Sequence, residues 1–336
     1  MTNLGRRGSL VSIALATVVA VGLGGAMYVS RPVSAYLPVP QDTGVHDPAL
    51  VLDAGGEPWL VYGTGNEALG GAPRILKSGD GGATWAVKGE AWAETPAWVR
   101  RAVPGVKNIW APAVYEHDGT WYLFYAASTF GKNRSAIGVM TATTPDPDDP
   151  AYGWTDGGEV LASTGSDPYN AIDPTVSEDA AGVPYLFFGS FWTGIYAVQL
   201  EWPTGHVAPG AAPQPVAARD SHSTAIEAPA VTYHGGYYYL FVSWDSCCQG
   251  VNSTYNIRVG RSTSVLGPYV DRDGVKMTAG GGALWLETAG FRIGPGGQSV
   301  AGDYLAFHYY HALLNGAPVL GIVQLAWADG WPVPPS

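Results

Sequence analysis

One sequence word recurs along this chain, and this repeat constrains the fold more than any other feature. Each copy begins with an acid or alanine, which is usually followed by proline. A short apolar stretch, a glycine-containing turn and an aromatic-rich segment come next. The copies are HDPALVLDAGGEPWLVYGTG from His46, WAPAVYEHDGTWYLFYAAS from Trp110, IDPTVSEDAAGVPYLFFGSF from Ile172, EAPAVTYHGGYYYLFVSWD from Glu227 and a degraded PGGQSVAGDYLAFHYYHA from Pro295. Successive copies begin 55 to 68 residues apart, so the period is that of a large supersecondary unit.

Each copy predicts a β-hairpin, because none has a helical apolar period and a Gly or Asp-Gly turn divides the two strands. Further strand-like segments follow most copies: SAIGVMTATT from Ser135, YNIRVGRSTS from Tyr255 and PVLGIVQLAW from Pro318. Four strands per unit, repeated five times, predict an all-β, five-bladed β-propeller over residues 36–336. A β-sandwich is the alternative, but it does not need one word to return at so long a period. We expect the segment from about Gln41 to pair with the last blade and close the ring.

Residues 1–35 have the features of an export signal. Arg6 and Arg7 precede an apolar run from Leu10 to Val29, and the small residues 33–35 form a cleavage site that leaves a chain starting near Tyr36. The paired arginines suggest twin-arginine export. An ordinary secretory signal and a retained membrane anchor are the alternatives. All three place the propeller outside the cytoplasm, and the first two predict a secreted protein without stable membrane association.

Charge and cysteine content narrow the function. The net charge of −11 argues against a nucleic-acid partner, which requires a basic face, and is compatible with a neutral polysaccharide. The two cysteines are adjacent, Cys247 and Cys248, a spacing that does not suit zinc. The sequence leaves open whether they form a vicinal disulfide or remain two buried thiols.

The repeat also brings acidic residues together. The first strand of every propeller blade lines the central channel, so equivalent positions of different copies converge there. Asp47 and Asp173 occupy the same position, just before proline, and Glu227 lies one residue earlier in its copy. The second copy has Trp110 and Ala111 there, and the fifth has no acid. Three carboxylates are therefore predicted at one end of one channel.

Clustered carboxyl groups are what glycosidic bond cleavage needs. One must remain protonated to donate to the leaving oxygen, while another must be ionised to activate water or attack carbon. A single Asp before Pro is more often a turn or strand-start residue. Three acids at matching repeat positions favour a catalytic site.

At these residues the chain resembles the arabinanases of glycoside hydrolase family 43, from about Val45 to Val333. The matching words are VHDPALV, NIWAPAVY, STFGKNRSAIGV, YNAIDPTV, GSFWTGI, EAPAV, DSCCQG with STYNIRVGRS, GPYVDRDG and WADGWPV. The resemblance implies an endo-acting, inverting hydrolase of α-1,5-L-arabinan, a pectin side chain. Asp47 would be the general base and Glu227 the general acid, while Asp173 would tune and orient that acid.

The resemblance also implies substrate contacts and a metal. The residues that would hold the sugar are Asn170, Ala171, Ile172, Ser190, Phe191 and Trp192. The two aromatic residues could equally be blade-packing core. A calcium ion in the channel would be held by His308 and waters, although a lone His on an apolar strand is more often a hydrogen-bonded core residue. We expect a monomer with no organic cofactor.

Two short segments bear on the family resemblance, and three other functions are alternatives to the one it implies. The family usually has GPGH where this chain has GPGG at 294–297, so a channel histidine is missing. SGDGGATW at 78–85 matches an Asp-box, which we interpret as a structural turn.

A sialidase would need several such boxes and an arginine cluster. An exo-acting arabinofuranosidase or xylosidase, and a non-catalytic sugar-binding propeller, stay open.

Overall fold

The computed structural model of the protein describes residues 32–40, 43–52, 58–219 and 223–336. Five antiparallel sheets are arranged as a five-bladed β-propeller, which confirms the predicted fold class. The strands are β1 (Ala35–Tyr36), β2 (Ala49–Leu52), β3 (Trp59–Gly63), β4 (Arg74–Ser78), β5 (Ala86–Glu90), β6 (Ile109–His117), β7 (Thr120–Ala127), β8 (Ser135–Ala142), β9 (Thr155–Ser163), β10 (Thr175–Glu178), β11 (Pro184–Phe188), β12 (Ile195–Glu201), β13 (His206–Val207), β14 (Gln214–Ala217), β15 (Ile226–His234), β16 (Tyr237–Trp244), β17 (Asn256–Ser262), β18 (Ala283–Leu286), β19 (Arg292–Ala301), β20 (Tyr304–His311), β21 (Ala317–Gln324), β22 (Trp327–Ala328) and β23 (Trp331–Pro332).

Each sequence copy forms the inner hairpin of one blade. Blades one, two and four are the four-stranded sheets β2–β5, β6–β9 and β15–β18. In blade three, β12 pairs with both β13 and β14 after β10 and β11, so this blade has five strands. Blade five contains β19, β20, β21 and β1. The helices are short: α1 (Ala97–Ala102) and 3₁₀ turns at Glu67–Leu69, Gly250–Asn252, Met277–Ala279 and Ala312–Leu314. Within the described ranges, no helix is long and apolar enough to cross a membrane.

The hairpin turns have the predicted chemistry. Asp118 and Gly119 between β6 and β7 have φ angles of 48° and 75°, and Gly235 and Gly236 between β15 and β16 have 56° and 89°. Two successive left-handed residues give the turn whose twist matches that of antiparallel strands. Glycine and aspartate tolerate this conformation best, which is why these dipeptides mark the hairpins.

The core consists of five apolar clusters, one between each pair of neighbouring blades. Strand β7 shows how alternation builds it. Leu123 and Tyr125 pack toward blade one, whereas Tyr122 and Phe124 pack toward blade three. Because successive side chains of a strand point to opposite faces, a central strand that is apolar throughout supplies two cores. This explains the aromatic-rich second half of each sequence word.

The ring is closed by the segment from about Gln41, as predicted, and also by a short strand upstream of it. Strand β1 pairs with β21, with Ala35 opposite Gln324, and a second bridge joins Gly44 to Val319. Ser34 is 1% exposed, and its hydroxyl donates to the Val333 carbonyl at 2.5 Å. Gln41 itself lies outside the described residues, as do residues 1–31, so the export signal stays a prediction. Its predicted boundary falls inside β1 and stays a prediction as well.

The Asp-box segment is a structural turn, as interpreted from the sequence. The Asp80 carboxylate accepts from the Thr84 backbone N–H at 2.8 Å and from the Thr84 hydroxyl at 2.6 Å. The Trp85 indole N–H donates to the Gly82 carbonyl at 2.9 Å. The side chains of Ser78, Asp80, Thr84 and Trp85 all make hydrogen bonds within the turn, as expected of a structural motif.

Candidate active site

The five repeat-equivalent residues at the channel share an unusual backbone conformation. They have φ angles of 49° (Asp47), 40° (Ala111), 55° (Asp173), 51° (Ala228) and 60° (Gly297). Left-handed geometry costs a non-glycine residue about 1–2 kcal/mol, and such strain concentrates at functional sites. All five line one small axial cavity. The repeat therefore converges at the axis, as the alignment of the copies predicted.

A cavity of about 620 Å³ opens above this ring of residues. The three predicted acids Asp47, Asp173 and Glu227 all line it, although they come from blades one, three and four. Its other walls are formed mostly by loops between strands. The remaining lining residues are His46, Thr64, Trp110, Thr129, Phe130, Gly131, Lys132, Asn170, Ile172, Ser190, Phe191, Trp192, Thr224, Ser246, Cys247, Cys248, Gln249 and Tyr255.

Asp47 is held in its ionised form. Its Oδ2 lies 2.7 Å from His46 Nδ1 and accepts from the Thr64 hydroxyl at 2.7 Å. Burial of the carboxyl opposes ionisation, but the charge and hydrogen bond of His46 and the hydrogen bond of the Thr64 hydroxyl outweigh it. The pKa of Asp47 therefore lies well below its usual range. This carboxylate is available to accept a proton.

Two histidines and a tyrosine surround Asp47. The Asp47 backbone N–H donates to His308 Nδ1 at 3.1 Å, and the rings of His46 and His308 are stacked 3.7 Å apart. Burial lowers the pKa of His308 well below its usual value, and the nearby His46 adds to this effect. His46 has the opposite shift, because the Asp47 carboxylate outweighs burial and raises its pKa. The Tyr310 hydroxyl lies 2.9 Å from His46 Nε2 and 3.3 Å from His308 Nε2.

Glu227 has hydroxyl partners on both carboxylate oxygens. Ser190 donates to Oε2 at 2.5 Å, and Tyr255 donates to Oε1. Burial raises the pKa of Glu227, the two hydroxyls partly oppose that rise, and the Asp47 charge adds to it. Glu227 is 7% exposed, so the carboxyl keeps its proton to higher pH than a glutamate in water.

Asp173 is tied to the residue that follows Glu227. Its Oδ2 accepts from the Ala228 backbone N–H at 3.1 Å. Burial, then the Glu227 and Asp47 charges, raise the pKa of Asp173 well above its ordinary value. Asp173 and Glu227 thus titrate as an interacting pair whose pKa values both lie above the ordinary range. The cavity brings together one carboxyl group that ionises readily and a pair that holds protons more tightly, the division of roles that acid–base cleavage requires.

Ser190→Ala is expected to move the alkaline limb of the kcat/KM–pH profile to higher pH. The lost hydroxyl favours the ionised form of Glu227, so its removal raises the pKa of that group further. We also expect kcat to fall about tenfold, since hydrogen bonds to charged groups contribute about 1.5–3 kcal/mol. Ser166→Ala, on an exposed loop, is a control. A limb that moves to lower pH would contradict the described role of Ser190.

Five of the six residues predicted to hold the sugar line the cavity, and Ala171 does not. Ala171 is fully buried, and its backbone N–H donates to Ser163 Oγ at 2.9 Å. Phe191 and Trp192 are partly exposed rather than core residues. Both have left-handed backbone, with φ angles of 55° and 42°. Two successive aromatic residues in this conformation place their side chains at the cavity wall, where they can contact a sugar ring.

Several cavity residues were not selected from the sequence. Trp110 stands at the repeat position of Glu227, so the alignment of copies contained a signal for it. Tyr255 lies in the STYNIRVGRS word, but nothing local shows that it reaches Glu227 across the blade. His46 directly precedes Asp47. Tyr310 does not line the cavity but contacts His46 beside it, and it follows His308 by two residues on the same face of β20.

The residues around His308 do not by themselves fit calcium. His46, Asp47 and His308 are close enough to share an ion, but they supply one carboxylate and two imidazoles. Calcium prefers six to eight oxygen ligands, whereas imidazole suits transition metals. Both ring nitrogens of His308 already have protein partners. We derive no chemical step from a metal ion here, and the calcium ion stays a prediction that elemental analysis of the purified protein would check.

Gly297, where the family resemblance predicted a histidine, lies against Asp47 and His308. A Cβ atom on Gly297 would be 2.5 Å from Asp47 Oδ1 and 2.7 Å from His308 Nδ1. The Gly297 backbone N–H donates to Ser243 Oγ at 3.0 Å. In this chain the side chains of Asp47 and His308 therefore pack directly against the backbone of Gly297.

The adjacent cysteines form a vicinal disulfide, which settles the alternative that the sequence left open. Both residues line the cavity. Within the described residues, every cysteine is in this bond.

Comparison with known proteins gives consistent matches. The model of the glycosyl hydrolases family 43 matches residues 74–332. An extracellular endo-α-(1→5)-L-arabinanase of Bacillus subtilis (strain 168) is 42% identical over 290 residues, covering 86% of this chain and 87% of the relative. An extracellular exo-α-(1→5)-L-arabinofuranosidase of Cellvibrio japonicus (strain Ueda107) is 38% identical over 308 residues, covering 86% of this chain and 85% of the relative. The solved structure of a Cellvibrio cellulosa α-L-arabinanase complexed with arabinohexaose matches with a TM-score of 0.80 at 36% identity, covering 88% of this chain and 96% of that chain.

Proposed function

Because the chain belongs to glycosyl hydrolase family 43, we propose that it is an extracellular enzyme that hydrolyses α-1,5-L-arabinan by endo attack with inversion. The observation that carries the proposal is the proton distribution in the cavity. The pKa of the half-buried carboxyl of Asp47 is held below its usual range, while those of Asp173 and Glu227 are both raised. The names of the Bacillus and Cellvibrio relatives support arabinan as the substrate.

In this mechanism Asp47 is the general base. Its carboxylate removes a proton from the water that attacks the anomeric carbon. His46 and Thr64 both contact Oδ2, so these two groups orient the carboxylate. The other oxygen, Oδ1, lies 3.6 Å from His308 Nδ1. A base must be ionised in the resting enzyme, and the pKa of Asp47, held below its usual range, meets that condition.

Glu227 is the general acid. It gives its proton to the glycosidic oxygen as the bond to the leaving sugar breaks. The hydroxyls of Ser190 and Tyr255 then stabilise the carboxylate that remains. The Oδ2 of Asp173 instead accepts from the Ala228 backbone N–H. The neighbouring negative charges oppose ionisation of Asp173 and Glu227 together, so the pair retains a proton, which Glu227 delivers.

Product analysis tests the proposal and the mode of attack. We expect purified protein acting on linear arabinan to release mixed oligosaccharides early in the reaction. Release of only arabinose, or only one short oligosaccharide, would show exo attack, which the Cellvibrio relative supports. Retention on an arabinan column without cleavage would indicate a sugar-binding propeller and overturn the enzymatic proposal.

The proposal includes secretion and a monomeric state. The extracellular Bacillus and Cellvibrio relatives support export. Assay of culture supernatant against cell lysate tests the location, and light scattering of the purified protein tests the monomer.

A further inference from the structure

The vicinal disulfide lies in a strained loop next to the proposed base. Cys248 has a φ angle of 66° and Asp245 one of 69°, a conformation that costs non-glycine residues about 1–2 kcal/mol each. The bond between Cys247 and Cys248 closes a small ring that includes the peptide link between them. That ring limits the backbone torsions of the loop at the point where it faces the cavity.

A continuous series of contacts leads from this loop to Asp47. The Cys248 backbone N–H donates to the Tyr310 hydroxyl at 2.7 Å. That hydroxyl lies 2.9 Å from His46 Nε2, and His46 Nδ1 lies 2.7 Å from Asp47 Oδ2. Cys248 Sγ is itself 3.8 Å from His46 Nε2. The disulfide therefore borders His46 both directly and through Tyr310.

We propose that the Cys247–Cys248 disulfide and Tyr310 are positioning groups for the base Asp47, acting through His46. The proposal rests on the function proposed above. The closed ring holds the Cys248 N–H toward Tyr310, Tyr310 holds the His46 ring, and His46 holds Oδ2 of the carboxylate. Misplacement of a catalytic group by about 1 Å can cost about 100-fold in rate. The pair does not react with substrate.

Reversible reduction tests this role on the unmodified protein. A water-soluble phosphine attacks one sulfur and breaks the S–S bond. The two sulfurs take up two electrons and two protons, while water supplies the oxygen of the phosphine oxide. Since the chain contains only two cysteines, any effect that depends on thiols belongs to this bond. Mass spectrometry after alkylation confirms that it has opened.

We expect reduction to lower kcat on linear arabinan about 10- to 100-fold, with KM changed less than about twofold. Removal of the phosphine and reoxidation should restore kcat. The double variant Cys247→Ser/Cys248→Ser should have the low kcat from the start and should not respond to phosphine. If KM rises while kcat is unchanged, the disulfide is a sugar-contacting surface, and the positioning role is wrong. If neither constant changes, the role is also wrong.

Tyr310→Phe tests the middle of the series without touching the disulfide. We expect a fall in kcat about as large as on reduction, and little further loss when the variant is reduced, because both changes break the same series. Tyr309→Phe is the matched control: its ring packs with Phe291 and Phe307 on the opposite face of β20. Additive losses would overturn the proposal. Unmodified protein that fails to cleave arabinan would instead overturn the proposed function.

Discussion

Glu227→Gln is expected to lower kcat/KM on linear arabinan by about 10³- to 10⁴-fold, the upper part of the range for general acid catalysis. Glutamine keeps the shape of the side chain, and its one amide oxygen can still accept from either Ser190 or Tyr255, but it has no acidic proton to donate. The loss should depend on the leaving group. An aryl arabino-oligosaccharide whose nitrophenolate leaves without protonation should lose less than about tenfold.

Asp47→Asn supplies the contrast that separates base from acid. Water must be activated whatever group leaves, so we expect this variant to lose about 10³-fold or more on both substrates. Glu201→Gln, at the exposed end of β12, is the control for a change of charge alone. Thermal unfolding of each variant checks folding. An equal loss of Glu227→Gln on arabinan and on the aryl substrate would mean that Glu227 is not the acid.

The repeat predicted the blades because each sequence word carries its own hairpin. Turn residues such as Asp118 and Gly119, and the apolar halves of strands such as β7, specify structure within a few residues of themselves. Ring closure has no such local signal. Strand β1 is only two residues long and pairs with β21 from the opposite end of the chain. Blade three has five strands rather than the predicted four for a similar reason. Its strands β13 and β14 both pair with β12, and neither carries a repeat word.

The site was predictable where it follows from repeat symmetry and unpredictable where it does not. Asp47 and Asp173 occupy equivalent positions, so their convergence follows from the propeller itself. Tyr255 reaches Glu227 from the position just before β17, and Tyr310 reaches His46 from β20. Those contacts depend on side chains that cross between strands or blades, and no spacing in the sequence encodes them. The burial of Ala171 was equally unpredictable, because its neighbours Asn170 and Ile172 both line the cavity.

Asp173→Asn is expected to move the alkaline limb of the kcat/KM–pH profile to lower pH and to reduce kcat/KM at neutral pH by about 100-fold. The interaction of two charges is mutual. The Glu227 charge raises the pKa of Asp173. In the proposed mechanism Glu227 holds the proton of the pair, so Asp173 is the ionised partner, and its charge opposes ionisation of Glu227 in the same way. Asparagine carries no charge, so Glu227 loses its proton at lower pH in the variant. Since the acid works only when protonated, activity disappears earlier as pH rises.

The variant changes charge more than position, because an asparagine oxygen can still accept from the Ala228 N–H, as Asp173 Oδ2 does at 3.1 Å. The measurement is kcat/KM on linear arabinan across the pH range, which reports ionisation of the free enzyme. Ser190→Ala provides an internal comparison, since its limb should move to higher pH. An unchanged limb in Asp173→Asn would mean that Glu227 titrates independently of Asp173. If the proton delivered to the leaving sugar is one that Asp173 and Glu227 share, the alkaline limbs of the two variants must move in opposite directions.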